Sequence, residues 1–422
     1  MTIDFLRVYR HFGTEAEKIF LGRVVCRGEE YFFEYNSRYL LTRPNPSPFL
    51  LRFSSGVQQE RNGRIPSFLL DSLPDGWGRL LMDREFRRQS IPIQAVTDID
   101  RLCYVGDRAI GALSFDSENN NTATSEDILK FSDLPLLNKS AHDFYEEEST
   151  EILKSLNNIS SSGGSRPKGN LFFSKDLTQC SENFQNDYEA WIVKFKTSST
   201  LLSSEEGVCE YIYSLMSKNA GISTADFHLF ELSDHSRLFS TKRFDRDGLR
   251  RIFSASIFGL IDADWREPSL DYEQIIRLCS ALTKSHGQTK EVFRRMIFNL
   301  FSGNQDDHSK NWNFLQNDLG NWSLSPAFDT TYSPNRISEH STSFKGYGKK
   351  PPKQTIAELA KLSGEDKPHK TITEVLDSIS QFPSLAKELA VEKSVQKEIT
   401  KTLNDLYQQN KELLGNLCTK GG

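Results

Sequence analysis

The chain is 422 residues long, 37% hydrophobic and 26% charged, with a formal net charge of −5. That length builds two or three packed units, and the acidic balance excludes a chain that grips nucleic acid by overall charge, leaving a local basic face or a basic partner for any DNA contact. With no apolar run near the roughly 20 residues of a bilayer span, no signal-peptide pattern in Met1–Arg7 and six scattered cysteines lacking a C-x-x-C pair, a cytoplasmic protein with reduced thiols and no membrane contact is expected.

Four runs rich in β-formers open the chain, and each is predicted as a strand: Phe5–Tyr9, Ile19–Val25, Tyr31–Tyr35 and Phe49–Phe53. A helix is predicted over Arg79–Arg88, a shorter one over Gln94–Cys103 and a strand over Gly111–Asp116. Residues 116–127 are polar and nearly free of apolar anchors, the best linker in the chain. A helical stretch near Ser140–Leu156 precedes the run Ser160-Ser-Ser-Gly-Gly-Ser-Arg-Pro-Lys168. Strands are then predicted at Asn170–Phe173, Trp191–Phe195, Asp226–Leu232 and Leu238–Phe244, with the helix Glu205–Asn219 among them, ended by Ala220-Gly221. From about Ser256 the pattern is mostly helical. Val292, Phe293, Met296, Ile297, Leu300 and Phe301 form one apolar stripe on a helix that delivers the chain to a polar loop. No internal repeat is visible.

That loop, Asn304-Gln-Asp-Asp-His-Ser-Lys-Asn311, carries Asp306 and Asn311 at the Asp-x-x-x-x-Asn spacing of a kinase catalytic loop, and Asp329 follows eighteen residues later. Phosphoryl transfer needs a carboxylate beside the attacking hydroxyl and oxygen ligands for magnesium, a set that Asp306, Asn311 and Asp329 can supply. A hydrophilic loop followed by a capping aspartate is the plainer reading. On a straight helix Asp306 and Asn311 would face apart, so a tight loop is needed to converge them. Lys194 lies among Trp191, Ile192, Val193 and Phe195 and needs a partner or an exposed face. Glu210 on the next helix is the natural partner, as in the lysine–glutamate pair that serves ATP phosphates; a solvent-facing edge lysine is the alternative. Gly163, Gly164 and Ser165 could bring backbone N–H groups to phosphate oxygens with Lys168 adding charge, or belong to a flexible linker. His308, beside Asp307, either ligates a metal or fixes the loop by hydrogen bonding, and no second histidine sits at ligand spacing. Arg243-Phe-Asp-Arg246 is an exposed turn or the end of a hinge.

Taken in order, these pieces resemble the HipA-type serine/threonine kinases, toxins of bacterial toxin–antitoxin pairs. The matching segments are Ser-Leu-Pro-Asp-Gly-Trp-Gly-Arg (72–79), Val-Gly-Asp-Arg-Ala-Ile-Gly-Ala-Leu (105–113), Gly-Gly-Ser-Arg-Pro-Lys (163–168), Trp-Ile-Val-Lys-Phe (191–195) and Glu210 with Ala220-Gly-Ile222. Lys-Arg-Phe-Asp-Arg (242–246), Gly-Asn-Gln-Asp-Asp-His-Ser-Lys-Asn (303–311) and Ser-Pro-Ala-Phe-Asp (325–329) complete the series. The resemblance implies an α+β, bilobal kinase-like fold with a β-rich N-lobe, an all-helical C-lobe and an extra N-terminal α/β subdomain, divided as 1–120, 121–250 and 251–422. It implies ATP and Mg2+ as cofactors, Asp306 as catalytic base, and Asn311 and Asp329 on the metal. Gly163, Gly164, Ser165, Lys168, Lys194, Glu210, Lys242, Phe244 and His308 become the nucleotide-binding candidates. Ser161, or its neighbours Ser160 and Ser162, matches an autophosphorylated serine that ejects the covering loop. The implied partners are a HipB-like DNA-binding antitoxin, through which alone DNA is met, and a protein substrate, an aminoacyl-tRNA synthetase in studied relatives. Two departures stand out: the loop is Gly-Gly-Ser-Arg-Pro-Lys, not the Gly-Ala-Gln type, and Lys242 stands where a glutamate is usual. A small-molecule kinase and a catalytically silent co-repressor remain the rival readings.

Overall fold

In a computed structural model the described residues are 5–117, 129–146, 156, 164–197, 202, 205–334 and 338–415. They are mixed α/β and divide into two discontinuous units: Met1–Ser204 with His228–Asp262 and Leu315–Asn321, and Glu205–Phe227 with Ala263–Phe314 and Trp322–Gly422. The expected linker, apart from residues 116 and 117, lies outside the described residues.

The first unit holds two five-stranded sheets. One is built from β1 (Phe5–Phe12), β2 (Glu17–Arg27), β3 (Glu30–Tyr35), β4 (Val57–Gln58) and β5 (Leu113–Asp116), in the order β4-β3-β2-β1-β5. Leu6 and Val8 alternate inward along β1 as a half-buried strand requires. The alternation then fails, because Arg10, His11 and Phe12 are all buried. Arg10 lies over the rings of Phe12 and Phe253, 4.7 and 4.6 Å from their centroids, and donates to Gln316 Oε1 at 2.6 Å. The predicted strand at Phe49–Phe53 is instead a turn. Pro44, Pro46 and Pro48 precede it without ladder donors, and Phe53 packs its ring edge-on against Tyr35 at 5.3 Å. The short helix predicted over Gln94–Cys103 runs over Asp98–Val105, because Thr97 and Asp100 form a capping box that sets its start.

The second sheet contains β6 (Lys168–Ser174), β7 (Cys180–Ser181), β8 (Tyr188–Lys194), β9 (Phe227–Glu231) and β10 (Arg237–Lys242), in the order β7-β6-β8-β10-β9. Helices α1 (Gly76–Arg88) and α2 (Leu134–Tyr145) cover its core, with Trp77, Phe144, Phe173, Trp191 and Phe230 in one buried cluster.

The second unit is mostly helical. Helix α3 (Glu206–Asn219) precedes α4 (Tyr272–Thr283) and α5 (His286–Ser302), and four helices follow between Lys353 and Asn410. The apolar stripe expected on α5 is one part of a wider burial. Arg295, Phe298 and Asn299 are buried too, because α5 is central, packed on α4 and on the helices Lys353–Ser363, Pro368–Ile379 and Lys393–Asn410. The unit is not all-helical. Between residues 303 and 352 its described residues, interrupted by prolines and glycines, form loops and short strands, and Thr342–Ser343 pairs in parallel with Leu270–Asp271.

Candidate active site

Helix α5 ends at Ser302, and Gly303 takes the left-handed conformation at φ 72°, so the chain turns directly into the 304–311 loop. The turn brings the spaced pair together: Asn311 Nδ2 donates to the Asp306 carbonyl oxygen at 2.6 Å. Two consecutive aspartates take opposite environments. The Asp306 side chain is 60% exposed, whereas Asp307 is 2% exposed and accepts from Tyr272 Oη at 2.5 Å, the Thr342 N–H at 3.0 Å and His340 Nδ1 at 3.0 Å. Burial, then the neighbouring Asp307, pushes the Tyr272 phenol far up, so it stays a donor. His308 caps its own turn, with Nδ1 accepting from the Lys310 N–H at 3.2 Å and Nε2 3.6 Å from Asp306 Oδ1.

Asp329 is half-buried and left-handed at φ 56°, an uncommon conformation for a side-chain-bearing residue and one that gathers at functional sites. A small cavity in this unit is lined by Asn299, Asn304, Asp307, Asn311, Phe328 and Asp329 among others. The donor chemistry fits magnesium. Asn311 spends its amide nitrogen on Asp306, which leaves Oδ1 as the atom that could take a metal, and the Asp329 side chain lines the same cavity. Among the described residues no group of three or more His, Cys, Asp or Glu could hold a metal. An Asn–Asp pair therefore suits an ion that keeps water and phosphate oxygens in its shell.

Of the nucleotide candidates in the first unit, Lys168, Lys194 and Lys242 lie on the second sheet. Lys168 on β6 and Lys194 on β8 are directly opposed in register, and Lys168 is buried. Ser160, Ser161, Ser162 and Gly163 lie outside the described residues; the description resumes at Gly164, which is seated on the start of α1. Gly164 N–H donates to the Asp75 carboxylate, Trp77 N–H donates to Gly164 O at 3.2 Å, and Trp77 Nε1 donates to Lys168 O at 3.0 Å. Gly76 has φ 43°, and a Cβ there would collide with Ser165 Cα. The segment 72–79, marked in sequence only by resemblance, is thus the seat of the glycine loop. Lys242 pairs with Glu189 at 2.8 Å, and the Arg243 N–H donates to Ala190 O at 2.8 Å. Phe244 is half-buried. Glu210 is buried on α3 in the second unit.

Arg243-Phe-Asp-Arg246 is not an exposed turn. Asp245 is 2% exposed and takes Arg243 Nη2 and Arg246 Nη1, each at 2.7 Å, and the Gly111 N–H at 2.7 Å. Burial alone would raise this carboxyl, but the two guanidiniums outweigh it and hold the group below its usual range. Arg246 also donates to Ala109 O and Gly111 O, both at 2.8 Å, tying the 105–113 segment to this one. Nothing in local spacing foretold Asp307, Tyr272 or His340. The one available signal was the doubled aspartate, since a loop that needs a single base has no use for a second carboxylate unless it is an anchor.

The chain is similar to known proteins. A family model for the HipA N-terminal domain matches residues 16–116, and one for the HipA-like C-terminal domain matches residues 160–405. A Sinorhizobium fredii protein named "Putative kinase Y4dM" is 29% identical over 156 residues, and a Haemophilus influenzae protein named as a kinase in the same terms is 36% identical over 73. Those alignments cover 33% and 17% of this chain and only 36% and 21% of the two relatives. The solved structure of Shewanella oneidensis HipA, in complex with HipB and operator DNA, superposes with a TM-score of 0.70 at 14% identity and covers 98% of both chains. Its likeness is one of fold. With the N-terminal and C-terminal domains matched in order along one polypeptide, the C-terminal match alone taking in more than half of it, this chain belongs to the HipA family.

Proposed function

We propose that the chain is an ATP- and magnesium-dependent protein serine/threonine kinase, the toxin of a toxin–antitoxin pair acting in the cytoplasm. The observation that carries this reading is the meeting of Asn311 and Asp329 on one cavity at the foot of the loop that presents Asp306. Asp306, exposed and pinned through its backbone, orients the hydroxyl of a protein substrate and receives its proton. Asn311 Oδ1 and the Asp329 carboxylate hold magnesium, which when bound offsets charge on the transferring phosphoryl group. Lys168 and Lys194 offer positive charge to phosphates, and Gly163, Gly164 and Ser165 offer backbone N–H groups. Glu210 belongs to the proposed nucleotide-binding set, Lys242 and Phe244 border the adenine, and His308 fixes the catalytic loop. The Lys242–Glu189 pair supports an adenine contact through backbone rather than through the lysine head. An extra N-terminal subdomain (1–120), an N-lobe (121–250) and a C-lobe (251–422) are the proposed divisions. A HipB-like antitoxin is the proposed partner and carries the DNA contacts, in keeping with the chain's net charge of −5. An aminoacyl-tRNA synthetase is the proposed substrate.

Transfer from radiolabelled ATP tests this, with peptide mass spectrometry on the same incubation reading phosphate at Ser161, Ser160 or Ser162. Asp306→Asn and Asp329→Asn should each lower transfer by roughly 100-fold or more with the fold intact. Either variant retaining near-wild-type transfer would remove that residue from its role. A wild-type chain that transfers nothing would favour the co-repressor.

A further inference from the structure

We propose that Asp307, His340 and Thr342 form a clasp that sets the position of Asp306, making Asp307 and His340 positioning residues of the phosphotransfer site. The inference rests on the kinase reading above and adds to it what fixes the geometry.

The observations begin with backbone. Three consecutive residues of the loop are held from outside it. Gln305 N–H donates to Ser333 O at 3.3 Å, while its carbonyl accepts from the Ser341 N–H at 3.0 Å. Asp306 N–H donates to Ser333 Oγ at 3.3 Å. The Asp307 carbonyl accepts from Thr342 Oγ1 at 2.5 Å. The chain following Asp329 is therefore tied to the loop at two places, near Ser333 and again at His340–Thr342.

The side chains close the same assembly. Ser333 Oγ donates to Asn304 Oδ1 at 2.9 Å, Asn304 Nδ2 to Asn299 Oδ1 at 2.9 Å, and Asn299 Nδ2 to Tyr272 Oη at 3.0 Å. Tyr272 then donates to Asp307. Every donor in this series meets an acceptor, so one carboxylate terminates a directed chain that begins at Ser333. Asp307 is also the end point for His340, whose Nδ1 must carry its proton to face a carboxylate. The side chains of Asp307 and His340 are 1% and 2% exposed, so water has little access to substitute for a lost bond. A carboxylate surrounded by three donors cannot be replaced by an amide. Turned one way, the Asn NH2 meets the Thr342 N–H; turned the other, it forces Tyr272 Oη and His340 Nδ1 to give up their donor roles.

The Asp306 side chain is exposed, and the buried bonds of its neighbour add to its own backbone bonds in fixing where it stands. A displacement of about 1 Å at a reacting group costs on the order of 100-fold in rate. The clasp thus acts on turnover, not on nucleotide affinity.

The test uses the full-length chain with Asp307→Asn, His340→Ala, His340→Asn and Tyr272→Phe. It measures thermal melting, kcat and KM for ATP, and amide hydrogen exchange over residues 304–311. Asn in place of His340 keeps a nitrogen donor close to the position of Nδ1 and should restore what Ala loses. The expected result is a kcat lower by roughly 10- to 100-fold in Asp307→Asn and His340→Ala, with KM for ATP changed by less than about threefold. Faster exchange over 304–311 should accompany it, with a smaller effect in Tyr272→Phe and rescue in His340→Asn. Variants that melt as wild type yet keep kcat within about twofold, or exchange in the loop no faster than wild type, would overturn the clasp. Should Asp307→Asn fail to fold, the His340 pair and Tyr272→Phe decide the matter. A wild-type chain without phosphotransfer would instead overturn the kinase reading, and the exchange data would still decide the clasp.

Discussion

His11 Nδ1 lies 2.9 Å from the carbonyl oxygen of Ala16, a contact that requires the proton on that nitrogen. Nε2 is then the acceptor for Ser114 Oγ at 2.8 Å and for Arg251 Nη1 at 3.2 Å. Burial first, and Arg251 second, lowers the imidazole from 6.5 to about 4, since a second proton would confront a guanidinium. The folded state therefore binds this proton more weakly than the unfolded chain. The stability tied to neutral His11 is complete above pH 6.5 and is lost as the pH falls through 6.5 toward 4. Melting curves across that window should show a falling Tm in the wild type and a shallower fall in His11→Gln. Equal slopes would mean that His11 titrates normally. The same scale separates Asp306 from Asp307. Adjacent and chemically identical in the sequence, they differ because Tyr272 and His340 arrive from residues 35 and 33 positions away.

At the scale of elements, the first turn of α1 is shaped around the glycine loop. Gly76→Ala would bring a methyl against Ser165 Cα in a left-handed backbone, so the 164–168 turn must move. Gly28→Ala is the matching control, because Gly28 has φ 66° but nothing within 4 Å of an added Cβ. Both should lose roughly 1–3 kcal/mol to backbone strain, and only Gly76→Ala should also weaken ATP binding. Calorimetric melting with nucleotide titration reads both effects, and equal ATP affinity in the two variants would detach this turn from the nucleotide. Much of the secondary structure was legible because periodicity is local. Glu205–Asn219 was placed to within one residue, and the loop after α5 was placed by its apolar stripe. Phe49–Phe53 misled because an apolar run reads alike whether it pairs as a strand or lies in a turn. The seat at 75–77 and the clasp at 340–342 were illegible for a different reason. Each joins segments far apart in the chain, and one sequence carries no record of which distant loops meet.

For the whole molecule, the proposed toxicity gives the broadest test. Production of the wild-type chain without its antitoxin should slow bacterial growth, and Asp306→Asn should relieve the effect at matched protein levels. Equal inhibition by both forms would separate growth arrest from phosphotransfer. The chain's path adds a matter of timing. Leu315–Asn321 belongs to the first unit, where Gln316 accepts from Arg10 and Asp318 accepts from the Gly13 N–H at 3.1 Å and from Arg250 at 3.2 Å. Arg10 and Gln316 are 306 residues apart, roughly 15 to 60 s of synthesis at about 5–20 residues per second. During that interval the emerging β1 strand carries a guanidinium whose Gln316 acceptor does not yet exist. The ribosome therefore releases a finished first unit only after Glu205–Phe227 and Ala263–Phe314 of the second have been translated, and a polypeptide stopped at Asp262 would hold both sheets yet lack Gln316 and Asp318.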